Sequence, residues 1–511
     1  MPALLKDRKL ACIFGLGLLL RVLFLGWGAR LYYGVGQEAI FYNGDSFSFV
    51  LAFQNWWHLG HYTFNLQQPD AAFGRLPGYP FFYGLHYLLA GPAGASLAVA
   101  STQAVLDACS ALLVFSSLRR LVGQLGPASG LGAWVPYAGA LLYAAYPFAI
   151  VWVPIIGTET LATFLTLAWL AWLLRPSRTT GHFVGLGLLL AAAFYVREYL
   201  GILLPISCVY LLATWPLLPP ARVGRGRVAA LLLVCGTFGA LYVLWPIRNY
   251  AVAHRIILLK PVTAGYANYN VDMAGFRDWV LCWTSDEHAW IDEVATSRNV
   301  AFPAEIFASP QEAQQARRGA QLAHDCGSSF YLYRKYRNRQ SFSGTAHEDE
   351  ATPAGPPADA QPQDCNAEIE ALFTQLKASY VARHPVRYWL DVPAQNLAKA
   401  FFKSSKNPAV NQPAAGGKAL LSRGLFAWRS LLVVLGFAGL LYYRRQRQVW
   451  PVALFVGFMY LFICVLARKL EMRYLLQADA LLLVPAALLL GAAYARWRPQ
   501  PPAAAEGGLG R

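Results

Sequence analysis

Long apolar runs recur along the whole chain, and most of them have the length that a helix needs to cross a membrane. A hydrocarbon core of about 30 Å is crossed by roughly 17 to 25 predominantly apolar residues in a helix. The sequence therefore predicts an all-α polytopic membrane protein with about ten transmembrane helices. The fifth run is short, so it and the sixth could form a bent or re-entrant pair instead of two full crossings. The predicted runs are 10–29, 98–118, 131–151, 159–174, 183–196, 199–216, 228–246, 425–443, 450–467 and 474–494.

The first run has two interpretations. A basic stretch precedes it and "GWGA" forms its end, as in a secretory signal peptide with a small-residue cleavage site. We favour an uncleaved anchor, because the run is long for a signal peptide and Arg21 lies near its middle. A charge at that depth usually faces protein and not lipid.

The composition supports a membrane protein. Hydrophobic residues make up 56% of the 511 positions and charged residues 14%, whereas soluble globular proteins carry about 25% charged residues. The formal net charge is +16, and most of it lies in short loops and in one basic outer segment. Nucleic-acid binding is therefore not predicted, because the positive charge follows the rule that cytoplasmic loops are rich in Lys and Arg.

The basic loops alternate with loops that are poor in Lys and Arg, which predicts that both termini are cytoplasmic. Two outward segments are then long enough to carry function. They divide the chain into an N-terminal catalytic membrane module, 1–247, with the first outer loop at 30–97; an outer segment, 248–424; and C-terminal membrane helices with a short cytoplasmic tail, 425–511.

The first outer loop is predicted to lie on the membrane surface. It contains a candidate interfacial helix, "SFSFVLAFQNWWHLGHY", and a Pro- and Gly-rich stretch, "FGRLPGYPFFYGLHYLLAGP". Amphipathic aromatic side chains settle at the level of lipid headgroups. The residues that suit this level are Trp56, Trp57, Tyr62, Tyr79 and Tyr83.

The outer segment is predicted to be mostly helical, with a disordered linker at about 341–364 that is rich in Pro, Ala and Asp. Cys282, Cys326 and Cys365 lie in this segment. Two of the three could form a disulfide in an oxidising compartment, and the sequence does not choose the pair.

Asp45, in "FYNGDSFSFV", is the leading candidate for a catalytic residue. It stands at the predicted start of the interfacial helix, so it could simply cap that helix by accepting backbone N–H bonds. It could also be a general base, because an ordinary Asp with a pKa of about 3.9 is ionised at neutral pH and can accept a proton from a hydroxyl. The two roles are compatible.

The last outward loop, "ARKLEMRYLLQ", carries positive charges on the side where the topology rule leaves few. Arg468, Lys469 and Arg473 could snorkel to the interface and pair with Glu471. Alternatively they bind an anionic ligand at the membrane surface, such as a lipid-linked phosphate, whose oxygens fit the planar guanidinium group. Arg197 repeats this pattern beside a carboxylate in "VREYL".

Other residues at the same predicted level are weaker candidates. Arg75 and Arg248 would add guanidinium groups, and Glu159 is a second candidate carboxylate that could equally be a helix-start residue. His58 and His61 are three positions apart, but no third metal ligand is evident, so packing at the interface is the favoured interpretation.

Taken together, these segments resemble the polyprenyl-phosphate-sugar-dependent glycosyltransferases of the GT-C fold, which include protein O-mannosyltransferases and aminoarabinose transferases. The similar segments follow the order of that family over nearly the whole chain. They are Asp45, "GRLPGYPFFYGL" at 74–85, "STQAVLDACSALLVF" at 101–115, "YPFAIVWVPIIGTETLATFLTLA" at 146–168, "VREYL" at 196–200, "WPIRNY" at 245–250, "ARHPVRYW" at 382–389 and "EMRYLLQ" at 471–477.

The resemblance implies that Asp45 is the catalytic carboxylate and that the donor is a sugar on a polyprenyl phosphate. Residues that would engage the donor are Arg75, Tyr79, Arg197, Arg248, Arg468, Lys469 and Arg473. Some family members carry an Asp-Glu pair at the first site, whereas Ser46 follows Asp45 here. The chain is therefore more similar to the bacterial single-Asp branch, and the eukaryotic acceptor is not carried over.

The expected reaction is inverting transfer at the outer face of the cytoplasmic (inner) membrane, with a glycan, lipid or protein as acceptor and no nucleic acid involved. A divalent metal is compatible with this chemistry but not required by it. The alternative is a non-enzymatic transporter or lipid-linked glycan flippase, which should carry ionisable residues near mid-membrane and often repeated halves. The charges singled out above gather at one face instead, which favours the enzyme.

Overall fold

The computed structural model describes residues 7–33, 39–43, 45–66, 69–177, 179–214, 225–260, 270–337, 365–402, 417–468, 470 and 472–497. All regular structure within these ranges is helical, and they contain no strand. Because a membrane interior offers no water to backbone N–H and C=O groups, helices that satisfy these groups internally are the expected solution.

The N-terminal half contains nine α-helices of ten or more residues within the described ranges. α1 includes a central π-helical turn, and α3 is broken at Gly91, which has a φ of +71°. Their bounds are α1, Arg8–Tyr33; α2, Ser46–Leu59; α3, Gly78–Leu125; α4, Val135–Ala144; α5, Thr158–Leu173; α6, Thr180–Val196; α7, Leu203–Thr214; α8, Arg225–Tyr242; and α9, Leu244–Ala253.

The C-terminal half begins with the helices of the outer segment and ends with three apolar helices. The outer-segment helices are α10, Val271–Val280; α11, Glu287–Thr296; α12, Pro310–Cys326; α13, Ser328–Arg337; α14, Asn366–Arg383; and α15, Val392–Phe402. The apolar helices are α16, Gly417–Tyr442; α17, Trp450–Leu461; and α18, Met472–Trp497.

Among the described residues, six helices are long and apolar enough to cross a membrane, which indicates a multi-pass membrane protein. They are Arg8–Tyr33, Gly78–Leu125, Gly226–Ala253, Arg423–Tyr442, Arg447–Leu466 and Met472–Trp497. Each of the ten predicted runs coincides with helical residues, but several of these helices are short, such as α4 with 10 residues. The count of ten crossings therefore stays a prediction.

α18 lies at the centre of the helix bundle, and most of its residues are buried against α4, α5, α16 and α17. The approach of α16 to α18 is close because Gly439 faces Pro485: a Cβ at Gly439 would lie 2.2 Å from the Pro485 carbonyl oxygen. Small residues at such crossings let helix backbones approach closely, which is how membrane helices gain packing energy.

Two ion pairs are buried between helices. Arg21 is fully buried, and its Nη2 lies 2.7 Å from Asp107 Oδ2, so the expectation that Arg21 faces protein is confirmed. The second pair joins Arg429 of α16 to Asp479 of α18, with 2.7 Å between Arg429 Nε and Asp479 Oδ2. No local pattern in the sequence distinguishes Asp107, Arg429 or Asp479 as a charge that is paired across helices.

The outer segment has its own hydrophobic core, built from aromatic residues of α10, α13 and α14, among them Phe276, Phe330 and Phe373. A disulfide joins Cys326 to Cys365, while Cys282 is free and buried. This decides the pairing that the sequence left open. The predicted linker at 341–364 lies outside the described residues.

Candidate functional site

The loop before α2 is held by Asn43 and not by Asp45. Asn43 Oδ1 accepts the backbone N–H of Asp45 at 3.0 Å, and Ser46 Oγ lies 2.6 Å from the Ile156 carbonyl oxygen, which ties the loop to the segment before α5. Asp45 is the residue that precedes α2, but its side chain makes no capping hydrogen bond. The capping role considered for the Asp45 carboxylate is therefore wrong, because that carboxylate is engaged elsewhere.

Each oxygen of the Asp45 carboxylate is bound by a different arginine. Arg75 Nη2 donates to Oδ1 at 2.9 Å, and Arg473 Nη1 donates to Oδ2. Arg75 is itself fixed, because its Nε donates to Ser48 Oγ at 2.7 Å and its guanidinium lies 4.5 Å from the centre of the Phe49 ring. The Asp45 side chain remains 24% exposed, so a ligand can reach it.

The two arginines determine the proton affinity of Asp45. Burial alone would raise its pKa, but the charges of Arg473 and Arg75 and their hydrogen bonds outweigh burial and hold the pKa well below the usual value of 3.8. Asp45 is therefore ionised at any physiological pH. With both arginines attached it is also a weak base.

The second candidate carboxylate, Glu159, is almost completely buried at the start of α5. Arg197 Nη2 lies 2.9 Å from Glu159 Oε1, and only 3% of the Glu159 side chain is exposed. A Cβ at residue 157 would lie 2.5 Å from Glu159 Oε2. Gly157 is therefore required for Glu159 to adopt this position.

Aromatic and amide side chains join the ion pairs of Asp45 and Glu159 into one cluster. Tyr474 lies between the arginines, with its ring centre 5.0 Å from the Arg473 guanidinium and 5.5 Å from that of Arg197. Arg197 also donates to Tyr199 Oη at 3.0 Å, and Tyr199 donates to Gln477 Oε1 at 2.8 Å. We call Asp45, Arg75, Glu159, Arg197, Tyr199, Arg473, Tyr474 and Gln477 the carboxylate–arginine cluster.

Three of these residues were not proposed individually from the sequence: Tyr199, Tyr474 and Gln477. The signal was present, since Tyr474 and Gln477 lie one and four positions after Arg473 in "EMRYLLQ". Residues four apart on a helix share a face. A helix that begins at Met472 therefore presents Gln477 on the side of the cluster.

Two other predicted site residues support the loops around the cluster. Arg248 donates to the carbonyl oxygens of Ala72 at 2.7 Å and Tyr62 at 3.0 Å, which braces the first outer loop. Tyr79 is fully buried, and its hydroxyl accepts the Gly157 N–H at 2.8 Å and lies 3.0 Å from Gln103 Oε1. Among the described residues, neither side chain forms a hydrogen bond or ion pair with a residue of the Asp45 and Glu159 cluster.

The remaining predicted residues lie apart or outside the described ranges. Arg468 is buried, donates to the Tyr388 carbonyl oxygen at 2.7 Å, and stacks on the Tyr388 ring at 3.6 Å. It therefore joins the membrane helices to the outer segment. Lys469 and its suggested partner Glu471 are not among the described residues.

The described residues do not assemble a metal site. No group of three His, Cys, Asp or Glu side chains with metal-binding geometry occurs in the described ranges. His58 Nε2 lies 2.9 Å from Tyr87 Oη, which agrees with a role in packing. Both oxygens of the Asp45 carboxylate are bound by arginines.

Comparison with known proteins finds similarity at the level of structure and not of sequence families. No family model matches the sequence, and no curated protein matches it. Among solved structures, the chain is similar to the archaeal oligosaccharyltransferase AglB from Archaeoglobus fulgidus, in complex with an inhibitory peptide and a dolichol-phosphate. The two share 12% identity with a TM-score of 0.46, over 96% of this chain and 51% of the other. This chain therefore spans about half the length of that protein.

Proposed function

We propose that the protein is an integral membrane glycosyltransferase of GT-C type. It transfers a sugar from a polyprenyl phosphate to a hydroxyl of a glycan, lipid or protein, at the outer face of the cytoplasmic membrane, with both termini in the cytoplasm. The observation that carries this proposal is an accessible carboxylate held by two arginines from distant parts of the chain. Asp45 and Arg473 are 428 positions apart, so the fold brings them together.

The arginines suit a phosphate that gains charge during the reaction. As the bond between the sugar and the lipid phosphate breaks, its electron pair leaves with the phosphate oxygen. Guanidinium groups already in place stabilise the growing negative charge without reorganisation. Arg473 and Arg197 flank Tyr474 at nearly equal distances, so one phosphate above this ring could be reached by both.

Asp45 becomes an effective base only when an arginine leaves it. A donor phosphate competes for the Arg473 guanidinium, and loss of that partner raises the pKa of Asp45 towards its ordinary value. The freed carboxylate oxygen accepts the proton of the acceptor hydroxyl while the hydroxyl oxygen attacks the anomeric carbon, opposite the departing phosphate. Donor binding therefore comes before acceptor activation in this scheme.

The buried ion pairs are the observation that favours the alternative, a transporter. Intramembrane charges often mark ion pathways. The carboxylate of each pair is also bound by a tyrosine, however. Asp107 accepts from Tyr143 at 2.5 Å, and Asp479 accepts from Tyr460 at 2.9 Å. Carboxylates that are paired and hydrogen-bonded in this way are typical of structural contacts between helices, which leaves the enzyme as the better account.

The decisive experiment is transfer from labelled polyprenyl-phosphate sugars by detergent-purified protein, for wild type and Asp45→Asn. Loss of a general base typically lowers the rate by about 10² to 10⁴, so we expect near-complete loss of transfer with donor still bound. Asp70→Asn is the matched control, because Asp70 is a carboxylate of the same outer loop that pairs with Arg255, outside the cluster.

Melting temperature and donor binding, recorded on the same samples, separate a chemical defect from a folding defect. If Asp45→Asn turned over within a few-fold of wild type, Asp45 would not be the base, and Glu159 would be tested next. If no labelled sugar were consumed by the wild type from any donor, the glycosyltransferase proposal itself would fail.

A further inference from the structure

An apolar groove opens at the end of the helix bundle opposite the carboxylate–arginine cluster. α18 has 26 residues, and a helix of that length is about 39 Å long. Arg473 lies at its first turn and Arg496 at its last. The groove lies between α7, α16 and α17 near the Arg496 end, has a volume of about 450 Å³, and is lined by apolar side chains such as Val209, Phe437 and Leu454.

This volume is within the range of about 300 to 1,000 Å³ that is usual for ligand sites. Leu454 is 42% exposed and Val209 is 45% exposed, so the groove is open at the side of the bundle. In a membrane this opening faces lipid. Its apolar walls therefore suit a hydrocarbon chain and not a soluble ligand.

The mouth of the groove is strongly basic. Arg444 is one of its lining residues, and Arg445 and Arg447 follow in "RRQRQ". Trp450 Nε1 donates to the Arg444 carbonyl oxygen at 3.2 Å, which holds the turn against α17. Arg496 Nη2 donates to Tyr442 Oη at 2.9 Å, which adds a fourth guanidinium group nearby.

No carboxylate neutralises this basic mouth within the described part of the chain. The sequence contains no Asp or Glu between residues 421 and 470 or between residues 199 and 214, which covers α7, most of α16 and all of α17. Arg444, Arg445 and Arg447 form no ion pair among the described residues. Arg444 and Arg447 instead donate to carbonyl oxygens, those of Leu441 and Ala213.

We infer that this groove binds an anionic phospholipid, with an acyl chain between α7, α16 and α17 and the headgroup phosphate on Arg444 and Arg445. Basic pockets between membrane helices recognise anionic headgroups in this way. A zwitterionic lipid would bring its own cation to the same arginines, so it binds less well. This inference concerns a different site from the proposed catalytic cluster and does not depend on its function.

The first test is native mass spectrometry of the full-length protein, purified in detergent and incubated with phosphatidylglycerol or phosphatidylcholine of identical acyl chains. Wild type is expected to retain phosphatidylglycerol at least several-fold better. Arg444→Ala/Arg445→Ala should remove that preference. Arg119→Ala is the matched control, since Arg119 is an exposed arginine near the end of α3 and does not line the groove.

The second test asks whether the chain enters the groove. Phosphatidylglycerol with brominated acyl chains should quench the fluorescence of Trp450, measured as the difference between wild type and Trp450→Phe. Ala453→Phe narrows the groove and keeps every arginine, so it should reduce both retention and quenching. Equal retention of the two lipids by wild type would overturn the inference, and so would retention without quenching of Trp450.

Discussion

The single guanidinium group of Arg473 binds two different side chains. It binds Asp45 and also donates to Tyr474 Oη at 3.2 Å. Its planar fork can bind two acceptors at once, which a Lys ammonium on a flexible stem does less well. The same fork can exchange one of these acceptors for a phosphate oxygen. Arg473 is therefore the residue through which donor binding can reach Asp45.

Arg473→Ala should lower kcat for transfer by about 10² to 10³, the usual effect of removing one group that stabilises developing negative charge. Arg473→Lys should recover only part of this, and Arg197→Ala should also weaken use of the donor. Arg255→Ala is the control, because Arg255 is an exposed arginine that pairs with Asp70. Unchanged donor kinetics in both Ala variants would mean that these charges only anchor the protein at the lipid surface.

The Arg473→Ala variant also gives an independent prediction for the pH dependence of transfer. The charge of Arg473 lowers the pKa of Asp45, so its removal raises that pKa. Transfer needs the ionised carboxylate, and the acidic limb of kcat/KM against pH should therefore move to higher pH in Arg473→Ala. A limb that did not move would show that Asp45 does not control the acidic side of the profile.

The sequence indicated Asp45, Arg75, Glu159, Arg197 and Arg473 one at a time, because each is a charge at an unexpected place. It could not pair them, since the partners of Asp45 are 30 and 428 positions away. It also could not separate Arg473 from Arg468. A positive charge in an outward loop can bind either a ligand or backbone carbonyl oxygens. Only the fold shows that Arg468 binds a backbone carbonyl oxygen.

At the scale of elements, the start of α12 shows how local sequence fixes a helix in the outer segment. Ser309 Oγ accepts the Glu312 N–H at 3.3 Å, and Glu312 Oε2 accepts the Ala308 N–H at 2.6 Å. Pro310 occupies the first helical position, where its missing N–H is not needed. Glu312 also pairs with Arg383 of α14 at 2.8 Å, so this cap connects two helices.

Glu312→Gln keeps an oxygen that can accept the Ala308 N–H but removes the charge that pairs with Arg383, so it should cost about 0.2 to 1 kcal/mol of stability. Burial tends to raise the pKa of Glu312, but hydrogen bonds from Ala308 and Ser379 and the charge of Arg383 outweigh burial and lower that pKa. Its stabilising effect is therefore complete above the unfolded-state pKa of about 4.3 and is lost as pH falls towards the folded-state pKa.

Melting temperatures of the purified protein between pH 7 and pH 3.5 test whether the stabilising effect of Glu312 is lost at low pH. The wild type should lose more stability than Glu312→Gln below about pH 5, so the two curves should converge. Glu305→Gln, at an exposed position just before α12, should follow the wild type throughout. Parallel curves for wild type and Glu312→Gln would show that the carboxylate charge does not contribute.

The lengths of the apolar runs predicted the positions of the helices better than they predicted the residues at which the helices begin and end. The run at 98–118 belongs to a helix that begins at Gly78, because an apolar and aromatic stretch precedes it. Composition does not distinguish an interfacial helix from the continuation of a spanning one. The left-handed conformation of Gly91 bends α3 between the two.

At the scale of the whole molecule, the Arg429–Asp479 pair holds the C-terminal helices to the outer segment. Arg429 binds Asp479 of α18 and also donates to the Ala400 carbonyl oxygen of α15 at 2.6 Å. Asp479 accepts from Tyr460 of α17 as well. One buried pair thus connects four helices. Its members lie 50 positions apart, so no local pattern in the sequence predicts it.

Asp479→Ala should destabilise the protein by about 3 to 5 kcal/mol, because it leaves Arg429 buried without its counter-charge. Arg429→Met/Asp479→Leu should recover most of this loss, since an apolar pair of similar volume needs no counter-charge. Thermal unfolding of the three proteins tests the difference, with transfer activity measured on the double variant. A stable double variant without transfer would place this pair in the function and would contradict its purely structural role.

The Cys326–Cys365 bond gives the chain a second covalent path across 39 positions of sequence. Any single peptide bond between these cysteines can be broken while the two ends remain one molecule. The N-terminal membrane helices and α16 to α18 lie on opposite sides of that interval, yet Asp45 from one side meets Arg473 from the other. Once a peptide bond in this interval is cleaved, the covalent connection between the two sides of the site depends on the disulfide and not on the backbone. Reduction of that disulfide would then leave two separate polypeptides.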